Sequence, residues 1–458
     1  MKNYDAVIVG AGQSGMPLAK KISNLGLSVA LVEKRAIGGT CINDGCSPTK
    51  TMVSSARLAH LVSRAADYGV ILPSYHIDQE TVKKRKDHIV TLFRGGAEKS
   101  LRKNKNIDIL MGTATFKDRH TIEITTSAGT TKTIKGEKIF INTGSEPRIP
   151  EIDGLDNTPY LTSTTIMELE ETPEHLLIMG GGYIGLEFAQ MFRRFGSKVT
   201  IIDRAGRLVS KEDEDVCKEI SQIFSDEGID TIFNSEVKKV TYQDGFSITS
   251  KTPEGDISLK GSHLLVATGR VPSSARLGLE NTKVKTSDKG FLHTDDFLKT
   301  DENHIYALGD VAGSAPFTHI AYHDAHIAFQ HAYKGNGVSK NKRLVPYCVF
   351  IDPQLGRIGL NEQEAKTKGI QYKTGKFLMK HAGRALEVDE TRGFFKVLVD
   401  PESKKILGAT ILSLDGGEIL ATLQMAMVGG VTYDTIATLP IAHPTLAESL
   451  NNLMGQIE

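Results

Sequence analysis

The sequence predicts an α/β protein in which one strand, glycine turn, helix, strand unit is used twice. Three observations carry that prediction. The apolar stretch Ala6 to Val9 runs into Gly10-Ala11-Gly12-Gln13-Ser14-Gly15 and a helical pattern, the same order returns at Leu176 to Gly185, and each copy is closed by a later apolar strand ending in Thr-Gly. A chain of 458 residues is also too long for one ordinary core, so about two to four domains are expected.

In the first copy the helical run ends near Leu25 and is followed by the strand Ser28 to Val32 and then Glu33. Gly10 makes the tight turn, Gly12 lets a pyrophosphate approach the N–H groups at the helix start, and Gly15 allows close helix–sheet packing. Glu33 is placed to take ribose hydroxyls. The second copy, LLIMGGGYIG, supplies Gly180, Gly182 and Gly185, then the strand Lys198 to Ile202 and Asp203, with the same glycine-to-acid spacing. The closing strands are KIFINTG, ending in Thr143-Gly144, and LLVATG, ending in Gly269. Two Rossmann-like units imply two dinucleotides, and the sensible pair is a tightly held FAD with an exchangeable nicotinamide. Asp203 favours NADH, because a carboxylate repels the 2′-phosphate of NADPH. Arg204 and Arg207 offer guanidinium groups that could take that phosphate, so NADH or NADPH remains open with NADH preferred.

Charge excludes other classes. Lys and Arg total 55, Asp and Glu total 55, and this balance gives no electrostatic case for nucleic acid or an anionic membrane as partner. Met1 to Gly10 enters a strand with no leader-like segment ahead of it, and the longest uncharged run near the C-terminus, Ile419 to Tyr433, falls short of the roughly 20 residues of a spanning helix. A cytoplasmic protein is expected. Of its 4 cysteines, Cys217 and Cys348 read as ordinary thiols.

Cys41 and Cys46 need a separate account. They sit in GGTCINDGCSPTK, Gly38 to Lys50, directly after the first acid. Residues five apart in a regular helix stand roughly 8–9 Å apart at Cα, whereas a disulfide rarely exceeds about 7 Å, so both cannot lie in one undistorted helix. Asn43 and Gly45 supply backbone freedom, while Ser47 and Pro48 read as the cap and first position of the next helix. Cys46 would then sit at a helix N-terminus with Lys50 one turn on, and both features favour a thiolate. No further Cys or His stands at ligand spacing, so no metal site is expected there.

The sequence resembles the class I pyridine nucleotide-disulfide oxidoreductases over nearly its whole length. GGTCINDGCSPTK is close to that family's GGTCxNxGCxPxK, and IYALGDVAG, Ile305 to Gly313, resembles its second flavin motif. The resemblance implies that Asp310 binds the ribityl chain, that Gly39, Thr40, Thr143 and Gly144 lie against FAD, that Lys50 lies near the flavin and pairs with Glu187, and that Tyr183 covers the nicotinamide pocket. It also implies FAD-binding parts at 1–146 and 273–340, an NAD(P) domain at 147–272 and an α+β dimerisation domain at 341–458.

Near the C-terminus, His443 precedes Pro444, read as starting a helix, and Glu448 follows. An imidazole can protonate the thiolate expelled in disulfide exchange, and a carboxylate fixes its tautomer. By resemblance this dyad reaches the cysteines of the other subunit of a homodimer, so the active site exists only in the dimer. Electrons would pass from NAD(P)H through FAD to Cys41–Cys46, with Cys46 facing the flavin and Cys41 nearer solvent, and then to a small disulfide, thiol or thiol-bound metal. The dyad favours a disulfide. PTKTMVSSARLAHLVSRAADYGV and VPYCVFIDPQLGRIGL instead resemble mercuric reductase-like members, although the tail Leu450 to Glu458 carries no cysteine pair and Ile441 stands where dihydrolipoamide dehydrogenases have a histidine. Alternatives are a dihydrolipoamide dehydrogenase, a glutathione-type disulfide reductase, a redox sensor without a dedicated substrate, and a quinone reductase using flavin alone.

Overall fold

The computed structural model describes residues 1–457. Its first unit opens with β1 (Lys2–Val9), turns at the glycines into α1 (Gly15–Ser23), and continues into β2 (Val29–Glu33), parallel to β1 with Ala6 opposite Val29. Helices α2 (Gly39–Asn43), α3 (Cys46–Ser63) and α4 (Gln79–Arg102) follow, then β3 (Ile107–Met111), β4 (Thr113–Phe116), β5 (Thr121–Thr125) and β6 (Thr131–Ile141). The sheet order is β3-β2-β1-β6-β5-β4. Ala6, Val7 and Ile8 are fully buried in succession, as expected where a parallel sheet is covered on both faces.

After β7 (Ser145–Pro147) comes the second unit: β8 (His175–Met179), α5 (Tyr183–Phe195), β9 (Lys198–Ile202), α6 (Glu214–Asp226) and β10 (Ile229–Ile232). An antiparallel layer, β11 (Glu236–Tyr242), β12 (Phe246–Thr252) and β13 (Gly255–Gly261), leads to β14 (His263–Val266), which completes the parallel order β10-β9-β8-β14. The chain leaves beside its point of entry, because β15 (Arg270–Pro272) pairs with β7. It then returns to the first sheet through β16 (Ile305–Ala307), parallel to β6, and α7 (Thr318–Phe329).

The C-terminal part holds β17 (Tyr347–Val349), β18 (Gln354–Gly359), α8 (Glu362–Thr367), β19 (Lys373–Leu378), α9 (Gly383–Glu387), β20 (Phe394–Val399), β21 (Ile406–Ser413), α10 (Gly416–Gly429), α11 (Tyr433–Thr438) and α12 (Ser449–Met454). Its antiparallel sheet runs β17-β18-β21-β20-β19. The fold class read from the sequence, two Rossmann-like units plus a C-terminal α+β part, is the one observed.

Charge ties this last sheet to the second unit. Lys396 on β20 is 2% exposed, and its ammonium lies 2.7 Å from Asp213, 2.8 Å from Asp215 and 2.9 Å from Glu362. Burial alone would lower its pKa, and these carboxylates overcome that and raise it. The acidic cluster is therefore filled by an internal cation. Among the described residues no helix is long and apolar enough to cross a membrane.

Two local readings need correction. The helix carrying Cys46 begins at Cys46 itself, with Gly45 before it, rather than at Pro48. Pro48 is tolerated there because first-turn N–H groups need no helical partner. Pro444 does not start a helix either: Thr445 donates to the Ala442 carbonyl, residues 446–448 form a turn, and α12 begins only at Ser449.

Candidate active site

The two glycine turns are built alike. A Cβ added at Gly10 would lie 2.2 Å from the Asn142 carbonyl oxygen, and one at Gly180 would lie 2.5 Å from that of Ala267. At Gly15 and Gly185 it would meet the carbonyls of Gly10 and Gly180 at 2.1 and 2.0 Å. These four glycines are demanded by the protein's own packing. The middle glycines are not: the nearest atom is 3.5 Å away at Gly12, and none lies within 4 Å at Gly182. Open space over N–H groups at a helix start suits a pyrophosphate, so both turns fit a dinucleotide.

The acids also match. Glu33 accepts from the N–H groups of Ala11 at 2.9 Å and Arg35 at 2.8 Å. Asp203 accepts from Gly181 and, at 2.7 Å, from Ala205. Each carboxylate braces its own glycine turn, a duty the sequence reading did not foresee, and lone pairs remain for a ribose. Beyond the second turn opens a cavity of about 440 Å³, lined by Gly180, Gly182, Tyr183, Asp203, Arg204, Arg207 and Gly269. Around the first turn stand Gly39, whose backbone approaches Gly12, the half-buried Thr143 with its hydroxyl unpartnered, Gly144, and Asp310. Asp310 accepts from the Ser145 hydroxyl at 2.5 Å, and Arg270 holds Ser145 in turn at 2.7 Å.

The cysteines straddle a break. α2 ends at Asn43 and α3 begins at Cys46, with Asp44 and Gly45 outside both helices. Asp44 is held by Arg35 at 2.7 and 2.9 Å. Both cysteines are thiols within hydrogen-bonding reach of each other. Thr40 lies exposed just before them. Cys46 lies 3.4 Å from the Thr318 hydroxyl at the start of α7. Its thiol is pushed down to about 6, chiefly by the Cys41 hydrogen bond and, against burial, by the Lys50 charge. The Cys41 thiol is pushed up by Cys46 and by burial. In this chain alone Cys46 is exposed and Cys41 half-buried.

Lys50 donates to both oxygens of Glu187 at 2.9 and 2.7 Å. Glu187 also accepts from the Phe350 N–H at 2.8 Å, and the Lys50 ammonium sits 4.9 Å from the Phe350 ring. The pair thus joins α3, α5 and the strand end after β17. Against burial, the Glu187 carboxylate and the Cys46 thiolate raise the Lys50 pKa, so it stays a cation. His443 pairs with Glu448 through Nδ1 at 2.8 Å, and its side chain is 75% exposed. Among the described residues it makes no hydrogen bond to Cys41 or Cys46 of its own chain. Thr318, Ser145 and Arg270 reach the site from remote segments that no local pattern announces, while Asn142 lies within KIFINTG and Phe350 within VPYCVF, motifs whose pattern gives neither residue a role.

Comparison with known proteins agrees with this geometry. Residues 4–332 match the family model "Pyridine nucleotide-disulphide oxidoreductase", and 345–454 match its dimerisation domain. The chain is 35% identical over 462 residues to the probable pyridine nucleotide-disulfide oxidoreductase RclA of Escherichia coli, covering 100% of both. It is 35% identical to a mercuric reductase of Streptomyces lividans, covering 98% of this chain and 94% of that one. The Cu(II) complex of the HOCl-induced flavoprotein disulfide reductase RclA superposes with a TM-score of 0.91 at 35% identity, covering 99% of each chain. With both family models matched in order and their glycine turns, acids and cysteine pair in place, the chain belongs to the pyridine nucleotide-disulphide oxidoreductases, FAD-dependent enzymes that use NAD(P)H and pair through a dimerisation domain.

Proposed function

We propose that this flavoprotein passes two electrons at a time from NADH, in preference to NADPH, to the Cys41–Cys46 pair, and from there to a small disulfide. The observation that carries the reading is Cys46: a thiol at the first turn of α3, beside Thr318 and the Lys50–Glu187 pair, with Cys41 in reach.

On this reading the first glycine turn, Glu33, Gly39, Thr40, Lys50, Thr143, Gly144 and Asp310 hold FAD, within parts 1–146 and 273–340. The second turn, Tyr183, Asp203 and Gly269 hold the nicotinamide cofactor, within 147–272. Bound FAD supplies the two-electron relay between hydride and disulfide. Lys50 and Thr318 stabilise Cys46 as the thiolate, while Glu187 keeps Lys50 charged and aimed. Cys41 attacks one sulfur of the acceptor and the other leaves as thiolate. Cys46 then closes the Cys41–Cys46 disulfide and releases the second acceptor thiol. His443, oriented by Glu448, protonates the leaving sulfur. Exposed and unattached to its own cysteines, it serves those of the second subunit across the face formed by 341–458. On this reading the enzyme works in the cytoplasm, where Cys217 and Cys348 stay reduced.

A thiol-bound metal ion is the second reading, favoured by the mercuric reductase among the relatives and the Cu(II) complex of RclA. One panel separates them: anaerobic NADH or NADPH oxidation by the FAD-loaded dimer against oxidised glutathione, cystine, lipoamide, Hg(II) or Cu(II) with excess thiol, and a quinone. NADH with one of the disulfides should dominate. In Cys46→Ser, NADH should still bleach the flavin, while turnover with disulfide or metal falls to background. Undiminished turnover in that variant overturns the cysteine route and leaves flavin-only chemistry.

A further inference from the structure

Tyr183 follows Gly182 directly, lines the 440 Å³ cavity, and stands one helical turn before Glu187 on α5. It occupies the junction between the dinucleotide cavity and the Lys50–Glu187 pair. Its ring packs 5.5 Å from that of Tyr347, which stacks at 5.2 Å on Phe317, the neighbour of Thr318.

What holds the phenol there is one carboxylate. Tyr183 and Tyr347 both donate to Oε1 of Glu212, each at 2.5 Å, and the two hydroxyl oxygens are 3.0 Å apart. Arg357 Nη1 donates to the Tyr347 oxygen at 3.0 Å. Glu212 is fully buried and its Oε2 has no hydrogen-bond partner, with Arg357 3.7 Å away. Burial and then the Glu212 charge raise the pKa of both phenols, so both keep the protons they donate.

Glu212 belongs to the loop that forms the other end of the cavity. Asp203 at its start accepts from the Gly181 and Ala205 N–H groups, and Arg204 and Arg207 line the cavity wall. Val209 donates to the Gly181 carbonyl at 2.9 Å, and Glu212 donates to the Val209 carbonyl at 2.8 Å. Val209 holds φ at +41°, a conformation that a β-branched residue adopts only under strain. The loop is thus a short, strained connection from the acid and arginines at one end to the phenol's carboxylate at the other.

We propose that Glu212 is a positioning residue that holds Tyr183 across the nicotinamide end of the cavity, and that the 203–212 loop releases it when the adenosine end is filled. This rests on reading the second glycine turn as the nicotinamide cofactor site. A complete dinucleotide opens its own way, whereas the nicotinamide half alone meets a closed phenol.

The test uses the FAD-loaded dimer and two half-cofactors. Anaerobic stopped-flow measurement follows flavin reduction by reduced nicotinamide mononucleotide, with and without AMP or 2′,5′-ADP as the free adenosine half. In the wild type the adenosine half should accelerate reduction at least about fivefold, the lower end of ordinary site-to-site coupling. In Glu212→Gln, and in Tyr183→Phe should the first variant fold poorly, reduction should be fast without it and respond little to it. A merely structural Glu212 would lower the flavin content or Tm of its variant and leave the response intact. Absence of acceleration in the wild type, or a full response in both variants, overturns the latch. Failure of NADH and NADPH themselves to reduce the flavin overturns the cofactor-site reading beneath it.

Discussion

The first and second glycine turns share their spacing, the contacts of their outer glycines and the bracing of their acids, yet they differ in what lies over them. Over the first, the segment after Glu33 folds back: Gly38 donates to the Ala11 carbonyl at 2.9 Å, Gly39 packs against Gly12, and the fully buried Ser14 donates to the Ala321 carbonyl at 2.6 Å. Over the second, the segment after Asp203 also folds back, Val209 donating to the Gly181 carbonyl at 2.9 Å, but no chain packs on Gly182, which is exposed with nothing within 4 Å of an added Cβ. On the proposed assignment, one turn chemistry would serve two residence times. A cofactor under the first turn would be enclosed by chain from three segments, while one at the second would meet an open mouth suited to exchange.

The largest break in that comparison comes from Gly10→Ala and Gly180→Ala. Both positions hold positive φ, +106° and +113°, and at both a methyl group would strike backbone. Each substitution should cost at least about 3 kcal/mol in strain and overpacking. The consequences should part company: Gly10→Ala yields protein without FAD, whereas Gly180→Ala keeps its yellow colour and loses reduction by NADH. Flavin absorbance after gel filtration and NADH titration read the two effects, and equal flavin loss in both would dissolve the distinction.

The same contrast shows what was legible in the sequence. Glycines, acids and flanking strands act within about thirty residues of one another, so Gly10 to Glu33 and Gly180 to Asp203 could be read directly, and β9 has the bounds expected of it. The cysteine pair was legible through its spacing, which forbids a single regular helix. The lids were not legible. Thr318 reaches Cys46 across 272 positions, and Tyr347 reaches Glu212 across 135. Such contacts are products of sheet order and domain packing rather than of local periodicity. The helix start at Cys46 was misjudged because the preference of proline for a first turn was taken as a single position.

His443→Ala sharpens the comparison at the acceptor end. If a disulfide is the acceptor, loss of the proton donor should slow its reduction by roughly 10²- to 10⁴-fold. A thiol-bound metal ion exchanges thiolate ligands without breaking an S–S bond, so its reduction should fall far less, and flavin reduction by NADH at the second turn should not change. Steady-state turnover with each acceptor beside stopped-flow flavin reduction gives all three values in one protein. An equal fall for both acceptors would assign the His443–Glu448 pair to holding the dimer together.

The smallest effect concerns the charge beside the first turn. The Cys46 thiol titrates near 6, below an ordinary thiol, so two-electron-reduced enzyme should show a long-wavelength thiolate-to-flavin band at pH 7.5. Protonation removes the charged form, so the band fades as pH falls through about 6 and does not fade as pH rises. Lys50 is one of the charges that hold this value down. In Lys50→Met the midpoint should move upward by about 1–3 units, the usual effect of losing an opposite charge a few ångströms away. The second turn provides the control, because Gly182→Ala touches no atom within 4 Å. It should raise the KM for NADH about tenfold, one close contact or about 1.4 kcal/mol, and leave the band's midpoint where it was. A midpoint that ignores Lys50 would mean that the Cys41 hydrogen bond alone sets the thiolate.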